Sequence, residues 1–116
     1  MEQNKVQLIG YVGTSPVMKK LPDGSKRAGL RVATHHLIKK KDGTKDYQTI
    51  WHDVVAWDKT AEYAERSFVR GSHIIVEGSI VYRTYADQLG HTRYLTFIQA
   101  KNLVNLDHRH HHPSNR

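Results

Sequence analysis

The chain changes hydrophobic rhythm once. From Asp58 to Arg70, Ala61, Ala64 and Phe68 recur at helical spacing. Elsewhere the apolar residues alternate or gather in short runs rich in Val, Ile, Thr, Tyr and Trp. Asp58 stands where a helix N-cap belongs, and Gly71 where a C′ glycine belongs. Turn-forming clusters at Gly13–Pro16, Leu21–Lys26, Lys39–Asp46 and Asp87–Gly90 punctuate the rest. The runs between them predict five strands, over about 4–12, 27–37, 47–57, 73–84 and 92–99.

Three strands, one helix and two strands is the order of a small all-β Greek-key barrel, the OB-fold. Gly10, Gly29 and Gly78 fall inside strand windows and suit the bends such a barrel needs. A length of 116 residues allows one domain. We assign 1–106 to the barrel. Asp107–Arg116 carries four His, two Arg, one Pro and no apolar residue, and reads as a disordered basic tail.

Composition narrows the function. With no cysteine there is no disulfide scaffold, thiolate metal site or thiol nucleophile. A net charge of +7 points to a polyanionic partner such as nucleic acid. No apolar run approaches the roughly 18 residues of a membrane span. The start, Met1 to Lys5, lacks the apolar core of a secretory signal. A soluble cytoplasmic protein is the expectation.

Strand alternation assigns faces. In the third predicted strand Thr49, Trp51, Asp53, Val55 and Trp57 share one face, and Ile50, His52, Val54 and Ala56 share the other. A carboxylate does not belong in a small apolar core, so Asp53 makes its face the outer one. Two tryptophans then lie on a solvent-facing strand, roughly 20 Å apart at about 3.3 Å per residue. In the second strand Ala28, Leu30 and Val32 oppose Arg27, Arg31 and His35; in the fourth, Ile74, Val76, Ile80 and Tyr82 fall together. Aromatics interleaved with cations suit single-stranded nucleic acid, because rings stack on any base and cations meet phosphates. On face and charge we assign phosphate contacts to Arg31, Lys59, Arg83, Arg93 and the Lys39–Lys45 loop, which includes Lys40 and Lys41. We expect that loop to form a mobile basic flap.

Several stretches, in this order and spacing, are familiar: Asn4-Lys5-Val6-Gln7-Leu8-Ile9-Gly10, Leu21-Pro22-Asp23-Gly24, Leu30-Arg31-Val32-Ala33-Thr34, Gln48-Thr49-Ile50-Trp51-His52-Asp53-Val54-Val55, Lys59-Thr60-Ala61-Glu62, Arg70-Gly71-Ser72, Val76-Glu77-Gly78, Asp87-Gln88-Leu89-Gly90 and Arg93-Tyr94. Across residues 4 to 103 the chain resembles the bacterial-type single-stranded DNA-binding protein family. The resemblance implies a non-enzymatic OB-fold that binds and protects single-stranded DNA in replication, recombination or repair. It implies a homotetramer, with a dimer as the alternative. Trp51 matches a stacking tryptophan, Trp57 a stacking aromatic and Tyr85 a position where tryptophan is common. A further stacking position falls on Ile38, which has no π-face. His52 matches a histidine at a subunit interface, and the first strand, with Lys5, Val6 and Leu8, matches a dimer-forming strand. Bacterial members end in an acidic, apolar tip that recruits repair enzymes. The basic, His-rich end here implies a tail-less form without that recruitment. A primosomal-type or adaptor OB-fold, acting through protein–protein contacts, is the alternative.

No cofactor or metal is called for. His108, His110, His111 and His112 lie in the tail, where nothing holds four ligands in fixed geometry. His52 and Asp53 fall on opposite strand faces, and no phosphate-binding loop, nucleophile elbow or His-Glu-x-x-His motif occurs.

Overall fold

The structure, a computed structural model, describes residues 3–107. The chain forms β1 (Val6–Val12), β2 (Val17–Lys20), β3 (Lys26–Lys39), β4 (Lys45–Trp57), α1 (Asp58–Ser67), β5 (His73–Ala86) and β6 (Thr92–Asn105). Hydrogen-bonded neighbours run β1–β5–β6–β4–β3, and β1 also pairs with β3 at Tyr11–Ala33 and Val12–Val32. That last pairing closes a five-stranded barrel, with α1 between its third and fourth strands. This is the expected OB-fold. One contact is parallel, β4 against β6 at Val54–Ile98 and Val55–Gln99.

The inward residues are those the alternation selects. Val12, Ala28, Leu30, Val32, Val54, Ala56, Ile74, Val76, Ile98 and Leu103 are buried in one cluster. The helix closes one end of the barrel with Ala61, Ala64 and Phe68, all essentially inaccessible. Its apolar stripe packs against β3, β4 and β6.

The structure corrects the sequence reading at several points. A sixth strand, β2, adds to the edge of β3; its sequence, Val-Met-Lys-Lys, is too short and too charged to stand out. β6 runs to Asn105, well past residue 99. The helix ends at Ser67, three residues before Arg70. Asp58 does not cap it. Asp58 is the first helical residue, at φ +50°, and its carboxylate accepts the Lys26 backbone N–H at 3.0 Å, across to the start of β3. Asp tolerates this left-handed backbone better than most residues. Gly71 is not the helix C′ residue. It takes the third place of a turn closed by Ser72 N–H to Val69 C=O, where positive φ is required, and donates its own N–H to Val12. The Lys39–Lys45 loop is the tip of the β3–β4 hairpin. Lys39 and Lys45 are paired strand residues, and Lys40 and Thr44 close a tight turn between them.

Two of the three strand glycines mark close approaches. A Cβ at Gly10 would strike the Ala33 carbonyl where the barrel closes, and one at Gly78 would strike the Gln99 carbonyl. Gly29 has open space around it. At Gly78 the ladder shifts: Gly78 opposes Ala100 while Glu77 opposes Asn102, so Lys101 is inserted as a bulge. The inserted residue moves the inward set of β6 from Ile98 and Ala100 to Leu103, a step of three. Of the tail assigned to 107–116, residues 108–116, with the four histidines, lie outside the described residues. Asp107 accepts the His73 backbone N–H at 3.4 Å. Among the described residues no helix is long and apolar enough to cross a membrane.

Candidate nucleic-acid interface

Alternation carries Trp51, Asp53, Val55 and Trp57 to the outer face of β4, while His52, Val54 and Ala56 turn inward. Register then fixes their neighbours. On β3, Arg31 lies opposite Asp53 and Arg27 opposite Trp57. On the other side β6 places Leu95, Phe97 and Gln99 on the same face, with Arg83 of β5 beyond Leu95. The outer face is therefore one continuous band of rings, aliphatic side chains and guanidinium groups.

Trp51 is 47% exposed. Its six-membered ring lies against Gly13, where there is no room for a Cβ. The Arg31 guanidinium sits 4.9 Å from the ring centroid, a cation–π contact. Arg31 Nε is also 3.5 Å from Asp53 Oδ1. One arginine thus lies between a carboxylate and an indole.

Trp57 is half-buried and lines a cavity of about 360 Å³ with Arg27, Asp53, Val55, Arg83, Leu95, Phe97 and Gln99. Tyr85 is 55% exposed near the far end of the β5–β6 hairpin. Its register partner Arg93 donates from Nε to Asp87 Oδ2 at 2.9 Å. Asp87 also accepts the Leu89 and His91 backbone N–H groups, at 2.9 Å each. These bonds hold its carboxyl below the usual carboxylate range, the His91 backbone bond most of all. Arg93 therefore helps tie the hairpin turn. Lys39, Lys40 and Lys41 are exposed at the tip of the β3–β4 hairpin, and Lys40 Nζ lies 3.8 Å from Asp46. Ile38 is exposed on that hairpin. Lys59 is placed elsewhere, on α1, beside a shallow cavity shared with Thr60, Tyr63 and Leu103.

The residues expected at a subunit interface lie together in part. Val6, Leu8 and His52 line a cavity of about 380 Å³ at the barrel mouth, with Ile80 and Phe97. Lys5 lines another cavity, with Gln7 and Glu77. His52 Nε2 is 3.0 Å from Thr34 Oγ1, and partial burial pushes the imidazole pKa down, opposed by Asp53. β1 pairs with β5 over Val6–Tyr11 but with β3 only at Tyr11 and Val12. Along Val6–Ile9 its other edge pairs with no strand among the described residues. Among those residues no cluster of His, Cys, Asp or Glu could hold a metal ion.

Two members of the face were given no binding role from sequence: Arg27, though placed on the polar face with Arg31, and Phe97. Arg27 alternates correctly but lies early in its strand, before the aromatic stretch begins. Phe97 could have been found by carrying alternation from Leu95 through Gln99.

Comparison with known proteins agrees with this architecture. Residues 3–106 match the model of the single-strand binding protein family. Single-stranded DNA-binding protein 1 of Xylella fastidiosa is 40% identical over 101 residues, covering 86% of this chain and 74% of that protein. The single-stranded DNA-binding protein of Wolinella succinogenes is 35% identical over 104 residues, covering 90% of this chain and 64% of that protein. Among solved structures, a Plasmodium falciparum SSB in complex with ssDNA superposes with a TM-score of 0.83 at 26% identity, covering 92% of this chain and 97% of that one. A deletion mutant of the Thermus aquaticus single-stranded DNA binding protein superposes with a TM-score of 0.81 at 25% identity, covering 92% of this chain and 52% of that one. Fold, outer face and relatives agree: the chain belongs to the single-strand binding protein family.

Proposed function

We propose that this protein binds single-stranded DNA without reading its sequence, holding bases unpaired and shielded during replication, recombination or repair. The observation that carries this reading is the single outer face shared by Trp51, Trp57, Arg27, Arg31 and Arg83. Bases stack on the rings whatever their identity, and the guanidinium groups take phosphates. Tyr85 extends the track along the β5–β6 hairpin, and Lys39, Lys40 and Lys41 extend it along the β3–β4 hairpin. Lys59 and Arg93 add to the positive field that attracts the strand. The work is binding rather than catalysis, and its setting is the nucleoid in the cytoplasm.

The bound form is a homo-oligomer, a tetramer in this reading and a dimer otherwise. The open Val6–Ile9 edge supports it, since an exposed strand edge is a template for pairing with a second copy. Light scattering on the purified protein tests this; a monomer at micromolar concentration would reject it.

Titrating intrinsic tryptophan fluorescence with oligo-dT tests the function. Strong quenching by oligo-dT, weakened by salt and absent with duplex DNA, is expected. A lack of both quenching and binding would remove the DNA reading.

A further inference from the structure

Phe97 is an aromatic side chain outside the buried core. It lies on the outward face of β6, opposite Val81 of β5 and one residue before the contact with β4. It belongs neither to the buried core nor to the partly buried hydrophobics packed on that core, which are Val6, Leu8, Met18 and Tyr63. It stays partly exposed. Yet it lines two cavities, the one at the barrel mouth, where Trp51 meets Val6, Leu8 and His52, and the one on the outer face that contains Trp57. Asp53 is the other residue the two share.

From this juxtaposition, and resting on the DNA-binding reading above, we propose that Phe97 is a base-stacking platform between Trp51 and Trp57. The cavity it shares with Trp57 takes one nucleobase. Its volume of about 360 Å³ is at the small end of ligand pockets. Its walls are apolar, with Trp57, Val55, Leu95 and Phe97, which suits the faces of a base. Arg27 and Arg83 also line it, and they approach from β3 and β5 on either side of the central strands. A base in the slot thus has cations on both sides for its flanking phosphates. The platform fills the roughly 20 Å between the two tryptophans, too long for one nucleotide step, with a third ring.

The test compares oligo-dT affinity of the parent, Phe97→Leu and Phe97→Tyr, by fluorescence anisotropy over a salt series. Thermal unfolding of each variant checks folding. Leucine keeps the apolar bulk and removes the π-face; tyrosine keeps both. Phe97→Leu is expected to bind roughly five- to tenfold more weakly or worse, the size of one lost stacking contact. Its salt slope should be unchanged, because no cation is lost, and Phe97→Tyr should recover the parent affinity. Phe97→Leu binding within twofold of the parent would overturn the proposal. So would equal losses in both variants, which would make Phe97 a packing residue. A parent that does not bind oligo-dT would instead reject the underlying DNA reading.

Discussion

Arg31 is held from two sides before any ligand arrives. Its guanidinium lies over Trp51 and within 3.5 Å of the Asp53 carboxylate. Both groups are more than half exposed, so water screens the pair and it adds little stability. Its consequence is for binding, since a phosphate must compete with Asp53 for the same donor. Asp53→Asn should therefore raise affinity for oligo-dT a few-fold. It should also steepen the salt dependence, by up to about 0.7 in slope for one released cation. An affinity measured across salt concentrations checks both. Trp51→Ala and Trp57→Ala should each weaken binding by about 1–3 kcal/mol, the range for one stacked base; isothermal titration of the single and double variants reads this out. The outer position of both tryptophans was legible because Asp53 lies between them. Phe97 has a threonine and an isoleucine beside it, and no charge to mark its face.

Elements are where local signals and tertiary geometry part. Asp58 has the chemistry of a cap, but the chain turns from β4 into α1 so sharply that its carboxylate meets β3 instead. Lys26 answers twice, with its backbone N–H to Asp58 and its ammonium to Glu62 at 2.9 Å. The Glu62 contact raises the Lys26 pKa. Gly71 shows the same effect: its positive φ was legible, but the turn that uses it lies beyond the helix. The bulge at Lys101 was invisible, because an inserted residue looks like ordinary strand until the partner register is known. Gly78, opposite that shift, cannot accept a side chain without displacing the Gln99 carbonyl. Gly78→Ala should lower stability by about 1–3 kcal/mol, the usual cost of overpacking, measurable by urea unfolding.

At the scale of the whole molecule, charge and pH act through few groups. Arg27 and Arg83 alone predict a plot of log affinity against log salt with a slope of about −1.4 or steeper for each chain. His52 couples folding to pH. Burial lowers its pKa in the folded state, so the unfolded chain binds the proton more readily. This contribution to stability is complete above about pH 6.5, the ordinary histidine value. It is lost as pH falls through the lowered folded value. Melting temperatures taken from pH 7.5 to pH 5 at constant ionic strength should fall with pH in the parent and less so in His52→Gln.

The β3–β4 hairpin reaches well beyond the barrel wall. Its paired residues run from Arg27–Trp57 out to Lys39–Lys45, but burial ends near Ala33 and His52. Past that point the arm has a ladder and no floor beneath it. A ladder without a floor opens from its free end, one rung at a time. Backbone amides should therefore exchange with deuterium fastest at Lys39 and Lys45 and progressively more slowly toward Val32 and Val54. The chain then carries its own clock for contact. A strand of DNA laid along the arm would slow the outer rungs most and leave the inner ones nearly unchanged.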